Sequence, residues 1–388
     1  MNGLENIHKL FFAGIGGIGM SALARYMMRQ GFHVSGYDRN PGEMARRLER
    51  EGVPIHYGDD SSEIPAGLDL CIYTPAIPAD SGLFQTARQR NIPCMKRAGL
   101  LGHISRQKRL IAVAGSHGKT TLSTMLAHIF FTAGRSFDAL VGGLSLNYDS
   151  NYIFRGKNSE YLIVEADEYD RSFLQLYPEM LLITSVDNDH LDVYKSQANI
   201  LAAFHQLIGH IHPDGLLIVH EKLQQAFPDY SAMLYGSSQK CDFRITGNEL
   251  LEDKQCFTMA YNKANIDLSM TAGGMHNLEN ALGAASLAIM AGISPVDIAS
   301  ALQSYRGVYR RFEKVYQDES IVYIDDYAHH PREIDACISA VRQLYPGKQI
   351  SAVFQPHLFS RTRDLAQEFA QSMSGIDRLW MLDIYPAR

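Results

Sequence analysis

One glycine-rich turn constrains the fold of this chain more than any other feature. The turn Gly115–Thr121 follows an apolar run, Leu110–Ala114, and precedes a segment with helical patterning, Leu122–Phe131. A buried strand, a glycine turn ending in Lys-Thr and a helix are the parts of a phosphate-binding loop, in which backbone N–H groups and the helix N-terminus hold phosphate oxygens. Only Ser116 and His117 separate the two glycines, so the spacing departs from the usual motif, and a plain glycine turn is the alternative.

The residue types at strand ends predict a nucleotide and a metal ion. We expect the Lys119 ammonium to reach the outer phosphates and the Thr120 hydroxyl to join a Mg²⁺ ion. The apolar strand Tyr161–Val164 ends in Glu165, where nucleotide enzymes place a metal ligand, and a solvated acidic loop is the alternative. The next apolar strand also ends in polar residues, among them His190, which is either functional or structural.

An earlier glycine turn, Gly14–Gly19, lies between the predicted strand Lys9–Ala13 and the predicted helix Met20–Gln30. The following strand ends in Asp38, and an acid about 20 residues beyond the glycines is typical of dinucleotide-binding units. The pattern predicts a diphosphate at the helix N-terminus without saying which one. An NAD-dependent oxidoreductase is therefore one alternative, although it leaves the Lys119 turn without a role.

Two later segments supply candidate ligands for a base and for anions. His276 and Asn280 are four residues apart and share one helix face, where they bind a planar base edge or serve as helix caps. Further along, acids, histidines and arginines collect at the ends of the predicted strands 321–324 and 350–354. A zinc site built from those histidines is disfavoured because the nearby arginines would repel a cation.

Composition places the chain among folded globular proteins. A length of 388 residues suggests two or three domains, and a net charge of −6 gives no reason to expect nucleic-acid binding. The five cysteines lack metal-type spacing, which favours free thiols in a reducing compartment. The N-terminus lacks the apolar core of a signal peptide and no run reaches the length of a membrane span, so we expect a cytoplasmic protein without a membrane partner. The polar, strand-like stretch 239–267 predicts peripheral β structure.

Taken in order, these motifs resemble the Mur ligases of bacterial cell-wall synthesis, from about Ile7 to the last residue. The matching segments are 14–21, 115–121, 165–168, 189–192, 276–280, 310–313, 325–331, 354–357 and 361–363. The resemblance implies an α/β protein of three consecutive Rossmann-like or P-loop-type domains, the last one incomplete. It assigns the UDP-sugar to 1–107, ATP to 108–306 and the incoming amino acid to 307–388.

The resemblance also implies roles for individual residues. Those expected to bind ATP are Gly115, Ser116, His117, Gly118, Lys119, Thr120, Thr121, His276, Asn280, Arg310, Arg311 and Asp325. Those expected to hold Mg²⁺ are Thr120, Glu165 and His190. Those expected to bind the sugar nucleotide or the amino acid are Gly16, Gly17, Ile18, Thr74, Arg97, Tyr327, His357 and Arg361. Those expected to be catalytic are Lys119, Glu165, His190, His329 and Arg363.

The activity that this resemblance implies is the ATP-dependent joining of L-alanine to the carboxylate of UDP-N-acetylmuramic acid, by a monomer or weak homodimer. Addition of a tripeptide to the same sugar nucleotide and nucleotide binding without turnover are the alternatives. Departures from the family pattern occur at Ser116, at Gly58-Asp59 and at Arg97-Ala98-Gly99, and Leu201 stands near where sister ligases carry a modified lysine. The chain also looks truncated after Arg388, which predicts an exposed sheet edge and unpaired apolar faces in the last domain.

Overall fold

The computed structural model describes residues 6–58, 64–187, 194–251, 254–271 and 273–386. They form one five-stranded sheet, one ten-stranded sheet and two small two-stranded sheets, with helices packed on them. The predicted α/β class is confirmed.

The first sheet is parallel, with strand order β3-β2-β1-β4-β5. Its strands are β1 Lys9–Ala13, β2 His33–Asp38, β3 Ile55–Tyr57, β4 Leu70–Tyr73 and β5 Cys94–Lys96. Its helices are α1 Ile18–Arg29, α2 Glu43–Arg50, α3 Gly82–Gln89 and α4 Arg97–Ser105. Strand β1 is central because its apolar side chains, including Phe11 and Phe12, are buried on both faces of the sheet. The glycine turn therefore lies at the carboxyl edge of the sheet's middle strand.

The second sheet has the order β15-β14-β13-β12-β11-β10-β6-β9-β7-β8. Its strands are β6 Arg109–Ala114, β7 Phe137–Ser145, β8 Ser150–Arg155, β9 Tyr161–Ala166, β10 Met180–Ile183, β11 Leu216–His220, β12 Met233–Gly236, β13 Phe243–Leu251, β14 Lys254–Tyr261 and β15 Ala264–Met270. Its helices are α5 Lys119–Thr132, α6 Gln197–Ile208, α7 Met275–Met290 and α8 Pro295–Ser304.

Strand β6 lies between β10 and β9 and pairs with both in parallel. The carboxyl ends of these three strands therefore meet at one edge of the sheet, the position at which open α/β sheets bind ligands. The apolar pattern of 181–186 predicts a strand as far as Val186, but β10 ends at Ile183. The chain leaves the sheet there because Thr184 and Ser185 bond the phosphate loop: Thr184 Oγ1 donates to the carbonyl of His117 and the Ser185 carbonyl accepts from the N–H of Ser116.

The predicted peripheral β structure is also found. Strands β13 to β15 form an antiparallel extension at one end of the second sheet. Their inward side chains, such as Phe257, Met259 and Leu268, join the core below α7 and α8. The basic stretch 106–109 suggests a linker between domains from its sequence, and the structure shortens it by one residue, since Arg109 begins β6.

The last part of the chain forms the smallest unit. Antiparallel β16 Glu313–Gln317 and β17 Val322–Asp325 make one sheet, and parallel β18 Ser351–Phe354 and β19 Arg378–Met381 make the other. The helices are α9 Pro331–Leu344, α10 Phe359–Asp364 and α11 Ala366–Met373. The core here is small, and apolar side chains such as Ile321, Val353 and Trp380 are more than half exposed. Among the described helices, none is long and apolar enough to cross a membrane.

Candidate active site

The phosphate loop is held open by glycine backbone geometry. Gly115 and Gly118 have φ of 130° and 81°, in the left-handed region that favours glycine. A Cβ on Gly118 would collide with Oδ1 of Asn280 on α7. The loop backbone therefore passes directly beneath the residue predicted to meet the base, and α5 begins immediately afterwards at Lys119.

The Lys119 ammonium is buried and carries its charge. Its Nζ lies 2.8 Å from Oε2 of Glu168 and 2.5 Å from the carbonyl of Gly115. Burial alone would lower the pKa of Lys119, but the carboxylates of Glu168, Asp167 and Glu165 raise it above its usual value. A preorganised cation thus lies at the base of the loop, beside the space above the N-terminus of α5.

Two of the predicted metal ligands are in direct contact. Oγ1 of Thr120 donates to Oε2 of Glu165 at 2.8 Å, and the N–H of Gly142 donates to the same oxygen at 3.0 Å. Hydroxyl and carboxylate oxygens suit a hard cation such as Mg²⁺, so this pair fits the predicted metal. The third predicted ligand, His190, lies outside the described residues.

A histidine of the phosphate loop connects it to the third unit. His117 Nε2 lies 3.1 Å from Oδ2 of Asp187, and its Nδ1 lies 3.1 Å from Oε1 of Glu333. Arg332 pairs with Asp187 from the third unit as well. Burial alone would lower the pKa of His117, but the Asp187 and Glu333 carboxylates raise it to about 9. The imidazole is therefore an imidazolium at neutral pH, bound between two carboxylates.

Sequence reasoning missed Arg332 and Glu333. A usable signal was present, because Glu333 stands three residues after the helix cap His330 and the two form a capping box. The usual signature has Ser or Thr at the cap, so the spacing did not stand out. The Glu333 carboxylate accepts hydrogen bonds from the backbone N–H groups of His329 and His330. These bonds hold the carboxylate against the phosphate loop.

The larger cavity, about 580 Å³, extends from the phosphate loop to α7 and α9. The predicted ATP-site residues that line it are His117, Gly118, Thr121, His276, Asn280 and Arg311. Burial lowers the pKa of His276, so its ring is neutral and can both donate and accept. The ring of Phe312 stands 6.2 Å away from that of His276, at a near-perpendicular angle. The walls therefore combine planar polar groups with an aromatic face.

A second cavity, about 350 Å³, separates the first glycine turn from the second sheet. The predicted residues that line it are Gly17, Ile18, Thr74, Arg97, Thr120, Glu165 and Arg311. The Arg97 guanidinium lies against the first turn of α1, where a Cβ on Gly19 would meet it. Arg311 lines both cavities. Thr120 lines the smaller cavity and Thr121 lines the larger one, so the two cavities meet at the phosphate loop.

A hydrogen bond between Gly16 and Asp38 holds the first glycine turn in place. Oδ2 of Asp38 accepts a hydrogen bond of 2.7 Å from the Gly16 N–H, and a Cβ on Gly16 would collide with that carboxylate. The acid that follows the glycines by about 20 residues thus bonds the turn itself.

The third unit brings most of its predicted residues together. Arg310 and Arg311 lie over the ring of Tyr327, at 5.5 and 5.3 Å from its centroid, and Arg310 pairs with Asp325 at 3.2 Å. The rings of Tyr327 and His329 lie 5.2 Å apart. Those of His329 and His357 lie 5.7 Å apart, and Arg361 contributes to lowering the pKa of both histidines, after burial.

Arg363 is not brought to this group. Its side chain is 78% exposed and pairs with its sequence neighbour Asp364 at 2.7 Å. Arg361 and Arg363 point towards different faces of α10, because residues two apart on a helix do not face each other. The proposed catalytic role of Arg363 therefore has no support from its position.

Comparison with known proteins identifies three matching family models, which together span most of the chain. They are the Mur ligase family catalytic domain at residues 9–109, the Mur ligase middle domain at 113–288 and the Mur ligase glutamate ligase domain at 310–388.

Individual relatives agree with the family models. The chain is 41% identical over 397 residues to a UDP-N-acetylmuramate–L-alanine ligase of Cytophaga hutchinsonii, covering 99% of this chain and 85% of that protein. The crystal structure of a UDP-N-acetylmuramate-alanine ligase from Thermotoga maritima is similar with a TM-score of 0.85 and 27% identity, over 98% of this chain and 86% of that one. A murein peptide ligase from Psychrobacter arcticus shares the fold, with a TM-score of 0.76 and 22% identity over 97% and 91% of the two chains.

Proposed function

The chain belongs to the Mur ligase family, and we propose that it joins L-alanine to the carboxylate of UDP-N-acetylmuramic acid with cleavage of ATP. The observation that carries this proposal is the meeting of two cavities at one phosphate loop. One is open to the glycine turn at Gly17 and the other to His276 and Asn280. A sugar nucleotide and ATP bound in these cavities would bring a carboxylate and a γ-phosphate together beside Thr120 and Lys119.

The reaction explains why cations gather there. A carboxylate is a poor acyl donor, because its negative charge repels a nucleophile. Transfer of the γ-phosphoryl group to one carboxylate oxygen gives an acyl phosphate, and the amine of L-alanine then attacks the acyl carbon and releases phosphate. Negative charge accumulates at each step, and Lys119 and Arg311 are the groups of this chain that would stabilise it. Mg²⁺, held by Thr120 and Glu165, would neutralise phosphate charge when bound.

The third unit is the proposed amino-acid site. Tyr327, His329, His357 and Arg361 form a compact group of rings and charge, and Arg361 would pair with the alanine carboxylate. Arg310 and Asp325, paired next to Tyr327, would close this unit onto the nucleotide. Contacts of Glu333 and Arg332 with the phosphate-loop region support that closure, since they join the third unit to the ATP site.

An NAD-dependent oxidoreductase is disfavoured by Asp38. Dinucleotide enzymes use the equivalent acid to bind a ribose hydroxyl. Here Asp38 accepts from the Gly16 N–H at 2.7 Å and from the Asn40 N–H at 3.4 Å, so its carboxylate is engaged in the turn. The first glycine turn can still bind a diphosphate, but Asp38 does not offer the ribose contact that a dinucleotide enzyme would use.

The domain assignments 1–107, 108–306 and 307–388 belong to the same proposal, with the sugar nucleotide, ATP and the amino acid bound in that order. A cytoplasmic location and a monomeric or weakly dimeric state remain predictions.

The test is ADP release with Mg²⁺, UDP-N-acetylmuramic acid and one amino compound at a time. We expect turnover with L-alanine that requires the sugar nucleotide. Turnover with a tripeptide but not with alanine would favour the recycling reaction. Binding of both nucleotides by calorimetry without ADP formation under any combination would favour a non-catalytic nucleotide-binding protein. ADP release at a rate that depends on neither the sugar nucleotide nor the amino compound would refute the proposal.

A further inference from the structure

Helix α1 rests on the second sheet through a buried polar contact. Asn151, on β8, is fully buried, and its Nδ2 donates to the carbonyl of Ile18 at 2.7 Å and to Oγ of Ser21 at 2.9 Å. Its Oδ1 accepts from the Arg25 guanidinium. One side chain of the second sheet thus binds the first turn of α1 and a residue one turn further along.

Charged pairs hold the remainder of α1, one to Glu51 of the first unit and one to Asp138 of the second sheet. Arg25, 9% exposed, is bonded by both carboxylate oxygens of Glu51. Arg29 pairs at 2.7 Å with Asp138 of β7, a fully buried carboxylate that also accepts from the hydroxyl of Tyr152 at 2.6 Å. Buried polar groups are costly unless each is paired, so a contact of this type is specific about orientation in a way that an apolar contact is not.

The first turn of α1 is also one wall of the smaller cavity. Gly17, Ile18 and Gly19 line it on one side, and Thr120 and Glu165 line it on the other. The carbonyl that Asn151 binds belongs to Ile18, the first residue of the helix. Movement of this turn relative to β8 would therefore change the distance between a diphosphate on α1 and a γ-phosphate at the loop.

We propose that Asn151 is a positioning residue for the ligase reaction, which fixes the diphosphate-binding turn of α1 at a set distance from the phosphate loop. Asn151 lines neither cavity among the described residues and acts through Ile18 and Ser21. This inference rests on the proposed function, because it takes the sugar nucleotide to bind at the α1 turn. Catalysis is sensitive to such spacing, since reacting groups must approach within about 3–3.5 Å.

The informative variant is Asn151→Asp. It keeps the size of the side chain and the acceptor for Arg25, but it loses the amide donor and puts a carboxylate against the Ile18 carbonyl. About a tenfold effect, equivalent to about 1.4 kcal/mol, is expected from a carboxylate oxygen that faces the Ile18 carbonyl with no proton between them. We expect the Kd for UDP-N-acetylmuramic acid to rise about tenfold, and kcat at saturating substrates to fall about tenfold. The Kd of a non-hydrolysable ATP analogue should stay within twofold.

The matched control is Asp149→Asn. Asp149 pairs with Arg47 of α2 at 2.8 Å and so joins the same two units, but its side chain is 80% exposed and, among the described residues, does not bond the first turn of α1. The left-handed backbone at Asp149, with φ of 49°, accepts asparagine. We expect its kinetics to match the wild type. If Asn151→Asp fails to fold, Ser21→Ala provides the same comparison, because it removes one of the two acceptors and should show a smaller loss with the same pattern.

Equal weakening of sugar-nucleotide and ATP-analogue binding in Asn151→Asp would overturn the inference, because it would indicate a general loss of structure. Unchanged kcat and sugar-nucleotide Kd would overturn it as well. Failure of the wild-type protein to bind UDP-N-acetylmuramic acid would instead count against the proposed function. The two failures are therefore distinguishable in the same titrations.

Discussion

Nδ1 of His117 lies 3.1 Å from Oε1 of Glu333, which joins the phosphate loop to the first turn of α9. Nε2 of His117 lies 3.1 Å from Oδ2 of Asp187, which also pairs with Arg332. The ring of His330 stands 5.0 Å from the ring of His117. The two carboxylates outweigh the effect of burial and raise the pKa of His117 to about 9. The contact between the third unit and the phosphate loop is therefore stronger when His117 is protonated.

The first prediction follows from the sign of that shift. The folded pKa exceeds the unfolded value of about 6.5, so the stabilising contribution of His117 is complete below about pH 6.5 and is lost as pH rises through 9. Thermal unfolding midpoints of the wild type should therefore decline between pH 7 and 9.5 more steeply than those of His117→Asn, by roughly 1–2 °C per kcal/mol lost for a chain of this length. The control is His33→Asn at an exposed histidine. Equal slopes in wild type and His117→Asn would refute the coupling.

The second prediction concerns Lys119. Removing one preorganised charge at a transferring phosphoryl group commonly costs about 10²–10³ in rate, so Lys119→Ala should nearly abolish turnover. Binding of UDP-N-acetylmuramic acid, measured by calorimetry, should stay unchanged, because the proposed diphosphate site is the α1 turn and not the phosphate loop.

The burial of the Lys119–Glu168 pair calls for two controls. Lys119→Ala leaves Glu168 without its cation, which costs stability. The double variant Lys119→Ala/Glu168→Gln removes that cost and should remain inactive, whereas Lys254→Ala at an exposed position on β14 should keep full activity. Sugar-nucleotide binding that weakens as much as ATP binding in Lys119→Ala would contradict the assignment.

The third prediction concerns Mg²⁺. Glu165→Gln removes the charge of one proposed ligand while keeping an oxygen near Thr120, so the Mg²⁺ concentration for half-maximal rate should rise about tenfold or more. Glu160→Gln, at an exposed glutamate that pairs with Arg109, is the control. An unchanged Mg²⁺ requirement in Glu165→Gln would exclude it as a ligand.

A related prediction concerns His190, which lies outside the described residues. His190→Ala should likewise raise the Mg²⁺ requirement, by loss of one ligand while two remain. An unchanged titration curve would assign His190 a structural role instead.

The sequence was most informative where chemistry and local geometry coincide. The phosphate loop could be placed because glycines, Lys119 and the flanking apolar runs all depend on contacts within a few residues. The strand ends carrying Glu165 were predictable for the same reason, since an apolar run followed by acids shows where a strand leaves the core.

Contacts between distant segments were not predictable from one sequence. Nothing local to Asn151 indicates that it bonds Ile18, because that contact depends on how α1 packs on β8. The Asp187–Arg332 pair likewise depends on the docking of the third unit. The early end of β10 at Ile183 has a related cause, since the phosphate loop bonds the Thr184 hydroxyl and the Ser185 carbonyl.

The most direct test of the central claim follows oxygen from the sugar nucleotide. UDP-N-acetylmuramic acid labelled with ¹⁸O in both carboxylate oxygens is turned over with ATP, Mg²⁺ and L-alanine, and the released phosphate is analysed by mass spectrometry. Attack of one carboxylate oxygen on the γ-phosphorus, followed by cleavage of the acyl C–O bond, predicts one ¹⁸O in each phosphate and one in the new amide. Phosphate without label would contradict the acyl-phosphate route and the function proposed for this chain.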